Sequence, residues 1–199
     1  MNSSFILLLL GILYTLIFGG LSLLRREGLS THFAVESIII TLVATGLDFF
    51  SLYPIQPIFF LIILYLSTMR IRLLVDVANS LAKRNQHENA HALYRFANHL
   101  FPDRTNLAII QVNQAAAYLN QGNPQQAIDI LNKVLQNENQ SFLGLKHEAA
   151  AHYNLASAYR CLKMESKAIA EYNQVIDLLP ASLYARRAEK ALEKMKSKN

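Results

Sequence analysis

The sequence predicts an all-α protein with N-terminal transmembrane helices followed by a solenoid of stacked helix pairs. Charged residues are rare at the start, since the stretch 1–69 contains only five acidic or basic side chains. From residue 70 onward, charges, Asn and Gln become frequent, and three segments repeat one helical pattern. A single cysteine excludes an intrachain disulfide, and a net charge of +5 is no indication of nucleic-acid binding by itself.

The first apolar segment, residues 4–24, carries no charge over its whole length. About 20 apolar residues are needed for a helix to cross the hydrocarbon core of a bilayer, so this segment is long enough. A cleaved signal peptide has basic residues before its apolar core, whereas Arg25 and Arg26 follow the apolar run here. We therefore predict a retained anchor.

The second apolar region, Phe33 to Met69, is too long for one crossing. Pro54 and Pro57 interrupt it, and proline breaks helices. The sequence thus predicts two further spans, and the three spans of a membrane module of residues 1–70 are 4–24, 33–50 and 57–70. A single crossing of this second region stays open as an alternative.

Basic residues near the span ends predict the orientation. Arg25 and Arg26 follow span one, and Arg70 and Arg72 follow span three. Three crossings place both clusters on the same side, which is the cytoplasm by the positive-inside rule. The sequence therefore predicts an integral membrane protein with its N-terminus outside and its C-terminal domain in the cytoplasm.

Internal repeats organise the remainder of the chain. Three segments align without gaps, each starting with a small residue and continuing with apolar residues at helical spacing: 90–102, 127–139 and 168–180. Twelve residues before each leading alanine stands another alanine, so each unit is predicted to be two helices whose alanines face each other. The three predicted units are 71–104, 108–141 and 149–182.

The stretch 151–180, AHYNLASAYRCLKMESKAIAEYNQVIDLLP, resembles the tetratricopeptide repeat family, and the resemblance extends over about 71–182. It implies an α-solenoid of three helix pairs that stack on one another. Two departures are notable. The leading alanines are 37 and 41 residues apart, and Asn139 stands where the second repeat is expected to have a proline.

A basic helix, residues 183–199, is predicted to cap the last repeat. Its apolar residues Tyr184, Ala188, Ala191 and Met195 recur at helical spacing. At the other end no cap is needed, because no proline or glycine lies between Pro57 and Pro102. The third span is therefore expected to continue to about Arg84 as one helix, about 42 Å long.

The family resemblance implies that the first helix of each pair lines a concave groove that binds peptides. The implied groove residues are Val75, Asn79, Val112, Asn113, Ala116, Tyr153, Asn154, Ser157 and Arg160. Asn79 and Asn113 match the asparagines of the carboxylate clamp found in some members. The clamp's basic residues are absent, so capture of a C-terminal carboxylate is not predicted.

One motif indicates a different function, that of a zinc enzyme. His87, Glu88 and His91 form H-E-x-x-H, the zinc signature of many metalloproteases. No third ligand follows at the required spacing, so a zinc centre is not predicted; His87, His91 and His99 are expected to form a surface row that would suffice only for stray metal.

The resulting interpretation is a non-enzymatic, membrane-tethered adaptor or scaffold that binds a protein or peptide, in the context of membrane-complex assembly. Its predicted partners are that protein and the lipid bilayer, with no nucleic acid, small-molecule substrate, cofactor or metal. One alternative is a membrane metalloprotease that uses the motif at 87–91. Another is a chaperone of the same fold that faces the periplasm.

Overall fold

A computed structural model describes residues 3–28, 30–136 and 143–197 of the chain. The regular structure in these residues is helical throughout, which confirms the all-α class. The end of the second predicted unit, 137–141 with Asn139, and the last two residues of the predicted cap lie outside them. The described helices are α1 (Ser3–Leu24), α2 (Thr31–Phe49), α3 (Pro57–Lys83), α4 (His87–His99), α5 (Arg104–Asn120), α6 (Pro124–Leu135), α7 (Leu145–Cys161), α8 (Glu165–Leu178) and α9 (Leu183–Lys196).

Helices α1, α2 and the first half of α3 form a bundle that is apolar outside, and its interior combines large apolar side chains such as Leu7, Phe60 and Leu64 with small and hydroxyl side chains. Large side chains such as Leu16, Leu42 and Ile58 are exposed, whereas Ser37 and Thr41 are buried. This distribution is typical of helices packed in lipid, where small residues permit close approach and hydroxyls bond across helices. Each of these three helices is long and apolar enough to cross a membrane.

The approach of α1 to α2 depends on a glycine. A side chain at Gly11 would overlap that of Thr41 on α2. The hydroxyls of Tyr14 and Thr68 lie 2.7 Å apart and join α1 to α3 by a hydrogen bond. The bundle is thus held by close packing and by hydroxyl hydrogen bonds between helices.

Helix α3 is shared by the bundle and the helix pairs. It runs for 27 residues without a break from Pro57 to Lys83, a length of about 40 Å. Arg70 joins it to α2 through an ion pair with Glu36 at 2.6 Å, and its second half packs against α4. The expected continuation of the third apolar segment is confirmed. A boundary at residue 70 remains an interpretation, because the helix crosses it unbroken.

The turns within the three helix pairs share one geometry. Asn85, Gly122 and Lys163 have positive φ angles of 61°, 85° and 59°. In each turn the next residue donates its backbone N–H to the carbonyl five residues earlier, at 3.0, 2.9 and 2.9 Å. This is the Schellman closure of a helix end. The first turn closes without a glycine because asparagine tolerates the left-handed conformation.

Alanines lie where helices approach most closely. The alanines that the repeat pattern pairs are all 0% exposed: Ala78, Ala90, Ala115, Ala127, Ala156 and Ala168. They belong to two cores, one formed by α3 to α5 and the other by α5 to α9. Helix α9 packs against the end of the second core with Ala188 and Ala191.

Candidate functional site

A cavity of about 640 Å³ lies along the first helices of the three pairs, α3, α5 and α7. Phe18, Tyr65 and Met69 from the apolar bundle border one part of it, and Tyr184 and Arg187 from α9 border another. The loop between α1 and α2 contributes Arg25 and Glu27. The inner surface of the array is therefore a groove that begins at the apolar bundle; we call this cavity the groove.

Seven of the nine predicted groove residues line this cavity: Val75, Asn79, Val112, Asn113, Ala116, Tyr153 and Asn154. Ser157 and Arg160 lie outside the lining. The hydroxyl of Ser157 is within 2.9 Å of the Tyr153 carbonyl oxygen and donates to it. Arg160 is in the last turn of α7 and is exposed. The structure therefore separates these two residues from the other seven.

The two asparagines singled out in the sequence hydrogen-bond each other. Asn79 Nδ2 donates to Asn113 Oδ1 at 2.9 Å, and the Tyr94 hydroxyl donates to Asn79 Oδ1 at 2.6 Å. Asn113 Nδ2 donates to the Ile109 carbonyl oxygen at 2.7 Å. Burial raises the pKa of Tyr94, so its hydroxyl stays protonated and remains a donor. This network joins α3, α4 and α5.

The loop between α1 and α2 docks on the start of α7, a contact that the sequence did not reveal. Glu27 is buried and pairs with Lys146 at 2.5 Å and with Arg72 at 3.1 Å. Burial alone would raise the pKa of Glu27, but the Lys146 hydrogen bond and the charges of Lys146 and Arg72 outweigh it and hold that pKa below its usual value. One carboxylate therefore connects the loop to α3 and α7.

A glycine makes this docking possible. Gly144 precedes α7 with φ 74° and ψ 140°, a conformation that is costly for other residues. A side chain there would overlap the backbone of Glu27 and Gly28. The backbone N–H of Lys146 also donates to the Arg26 carbonyl oxygen at 3.1 Å. Backbone thus packs directly on backbone.

The same loop and the first turn of α2 contact the start of α5. Asn106 Nδ2 donates to the Ser30 hydroxyl oxygen at 3.2 Å, and the His32 backbone N–H donates to Asp103 Oδ2 at 3.4 Å. Asp103 caps α5 with its other oxygen, which accepts from the Asn106 backbone N–H at 2.8 Å. The array is therefore attached to the bundle through α3 and through this loop.

Comparison with known proteins addresses the repeats. The profile of the family described as Tetratricopeptide repeat matches residues 106–181, which cover most of α5 through to α8. Residues 106–181 are tetratricopeptide repeats. The solved TPR domain of Arabidopsis OM64 is similar in fold, with a TM-score of 0.50 and 24% identity over 63% of this chain and 95% of that domain. No curated protein matches the chain.

The α3–α4 pair lies outside the matched residues, yet it shares its turn geometry and its buried alanines with the matched pairs. Its turn closes as the other two do, and Ala78 and Ala90 are as fully buried as their counterparts. Three helix pairs therefore stack in one array, of which the first shares α3 with the apolar bundle.

Within the H-E-x-x-H motif, His91 packs between α4 and α5. His91 is buried and its ring stacks on Tyr118 of α5, with centroids 4.2 Å apart. Its Nε2 lies 3.2 Å from Gln121 Oε1. The expected surface row of His87, His91 and His99 is therefore wrong, because the middle residue packs between two helices. Within the described ranges no group of three or more His, Cys, Asp or Glu side chains is placed to hold a metal.

Proposed function

We propose that this chain is a membrane-tethered adaptor that holds a tetratricopeptide groove beside the bilayer and binds a segment of another protein there. The observation that carries the proposal is α3, which is both the third apolar helix and the first helix of the first pair. Tetratricopeptide repeats are protein-interaction modules, and a groove held in this way brings its partner to the membrane. Assembly of membrane complexes is the process that such an adaptor serves.

We further propose that the array faces the cytoplasm. Arg25 and Arg26 follow α1, and Glu27 beside them pairs with Arg72 of α3 at 3.1 Å. The two basic clusters thus belong to the same end of the apolar bundle. The α2–α3 connection, residues 50–56, contains no Lys or Arg. The positive-inside rule assigns the basic end to the cytoplasm.

The single cysteine reports which side the array faces. Cys161 is exposed at the end of α7, so a membrane-impermeant maleimide reaches it only from the side on which the array lies. In intact spheroplasts we expect no labelling, and after permeabilisation full labelling. The matched control is Cys161→Ser with Leu52→Cys, since Leu52 is exposed in the α2–α3 connection and is expected to label in intact spheroplasts. The reverse pattern would place the array outside.

Binding in the groove is tested by site-specific photo-crosslinking in cells. A photoreactive residue replaces Ala116, which lines the groove, or Gln126, which is exposed on α6 outside it. The proposal expects a discrete crosslinked protein from position 116 and none from position 126. Equal crosslinking from both positions, or none from 116, contradicts binding in the groove.

A further inference from the structure

We infer that the groove selects an acidic segment that adjoins a transmembrane helix of another membrane protein. This inference rests on the proposed function and deepens it, because it assigns the chemistry of the partner. Three features of the groove carry it: its charge, its apolar end and its length.

The charge of the lining is strongly unbalanced. Five basic side chains, Arg25, Arg72, Lys83, Lys146 and Arg187, line the groove against the acidic Glu27 and Asp76. Glu27 engages Arg72 and Lys146. Arg25, Lys83 and Arg187 are exposed and form no ion pair with any residue that the structure describes. They come from three elements, α3, α9 and the α1–α2 loop, so cations surround the groove.

The apolar end of the groove indicates that such a ligand emerges from a membrane. Phe18, Tyr65 and Met69 belong to α1 and α3, two of the helices that are apolar enough to span a membrane. A ligand that fills the groove therefore contacts apolar side chains at one end and cations beyond them. A peptide chain that leaves a bilayer passes from an apolar span of about 20 residues to polar residues, and this is the order that the groove presents.

The length of the groove favours a peptide over a lipid headgroup. Met69 and Lys83 both line it and both lie on α3, and their separation along the helix axis is about 21 Å. An extended peptide covers this distance with roughly six residues. A headgroup is too compact to reach from the bundle to Lys83.

Hydrogen-bonding groups for a peptide backbone are present as well. The Asn79 and Asn113 side chains are engaged with each other. Asn120 and Asn154 also line the groove, and their side chains bond to no other part of the described chain. Each amide offers both a donor and an acceptor, which is what an extended backbone requires.

The test uses the full chain in nanodiscs of zwitterionic lipid and two fluorescent peptides. One peptide alternates glutamate with serine and leucine, and its twin has glutamine at every glutamate position. Anisotropy is expected to show binding of the acidic peptide at least about tenfold tighter than its twin, and a weakening with salt. Equal binding of both peptides overturns the inference and leaves the proposed function standing. Binding of neither peptide overturns the inference, while the crosslinking from position 116 still decides the proposed function.

Two double variants supply the matched control. Lys83→Ala/Arg187→Ala removes two cations from the groove, whereas Arg84→Ala/Arg186→Ala removes two exposed cations next to them in sequence that do not line it. The first variant is expected to bind the acidic peptide about tenfold more weakly and the second to bind it as the wild type does. Equal losses contradict the inference, because net charge alone would then account for binding. Loss of peptide binding when anionic lipid replaces zwitterionic lipid also contradicts it and assigns the cations to lipid headgroups.

Discussion

Replacing Gly144 by alanine is expected to undock the α1–α2 loop from α7. The substitution imposes a φ of 74° on a residue with a side chain, which costs about 1–3 kcal/mol. The new methyl group would also overlap the backbone of Glu27 and Gly28. Relief of that overlap sacrifices the hydrogen bond from Lys146 N–H and weakens the Glu27 pairing, about 2 kcal/mol more.

Gly122→Ala is the matched control. Gly122 also has a positive φ, 85°, but a side chain there would meet nothing within 4 Å, so this variant bears the backbone cost alone. In detergent, the midpoint temperature of thermal unfolding is expected to be about 4–8 °C lower for Gly144→Ala than for Gly122→Ala. The rate of backbone amide hydrogen exchange at residues 25–28 is expected to rise in Gly144→Ala only. Equal unfolding temperatures and equal exchange would refute the docking argument.

Three further substitutions test other contacts, each by unfolding in detergent. Gly11→Ala, whose Cβ would overlap Thr41, is expected to destabilise the apolar bundle by about 1–3 kcal/mol through overpacking, whereas Gly20→Ala, whose Cβ meets nothing within 4 Å, has little effect. Tyr94→Phe removes the donor to Asn79 and is expected to cost about 1–2 kcal/mol; an unchanged stability would contradict the network. Burial and a neighbouring lysine lower the pKa of His147 to about 4, so the unfolded chain takes up its proton first as the pH falls. The contribution of the neutral His147 side chain to the free energy of unfolding is complete above about pH 6.5 and is lost toward pH 4, on the order of 3 kcal/mol. His147→Gln is expected to reduce the dependence of stability on pH in this range. An unchanged dependence would show that His147 is not its source.

Much of the fold was predictable because it depends on local patterns. Uninterrupted apolar runs predict α1 to α3, and alanines at repeated spacing predict which helix surfaces meet. The absence of proline and glycine between Pro57 and Pro102 predicts the continuity of α3. Each of these signals can be recognised within a few helical turns of sequence.

The site was less predictable because its contacts join distant residues. Glu27 and Lys146 are 119 residues apart, and no periodic pattern links them; the one signal was an acid placed directly after two arginines. Asn79 and Asn113 both line the cavity, but no pattern in the sequence indicated that they bond to each other or that Tyr94 donates to Asn79. The prediction that His91 lies on the surface was wrong because a motif gives only the spacing of residues along one helix. It does not indicate that Tyr118 of another helix packs against His91.

The double attachment of the array removes a hinge. An array joined to the apolar bundle by α3 alone could rotate about the middle of that helix. Binding of a partner would then have to stop this rotation. The contacts of Glu27 and Gly28 with the start of α7 hold the far side of the groove as well. The direction in which the groove opens is therefore set before any partner arrives, and association does not lose the rotational freedom that a mobile arm would surrender.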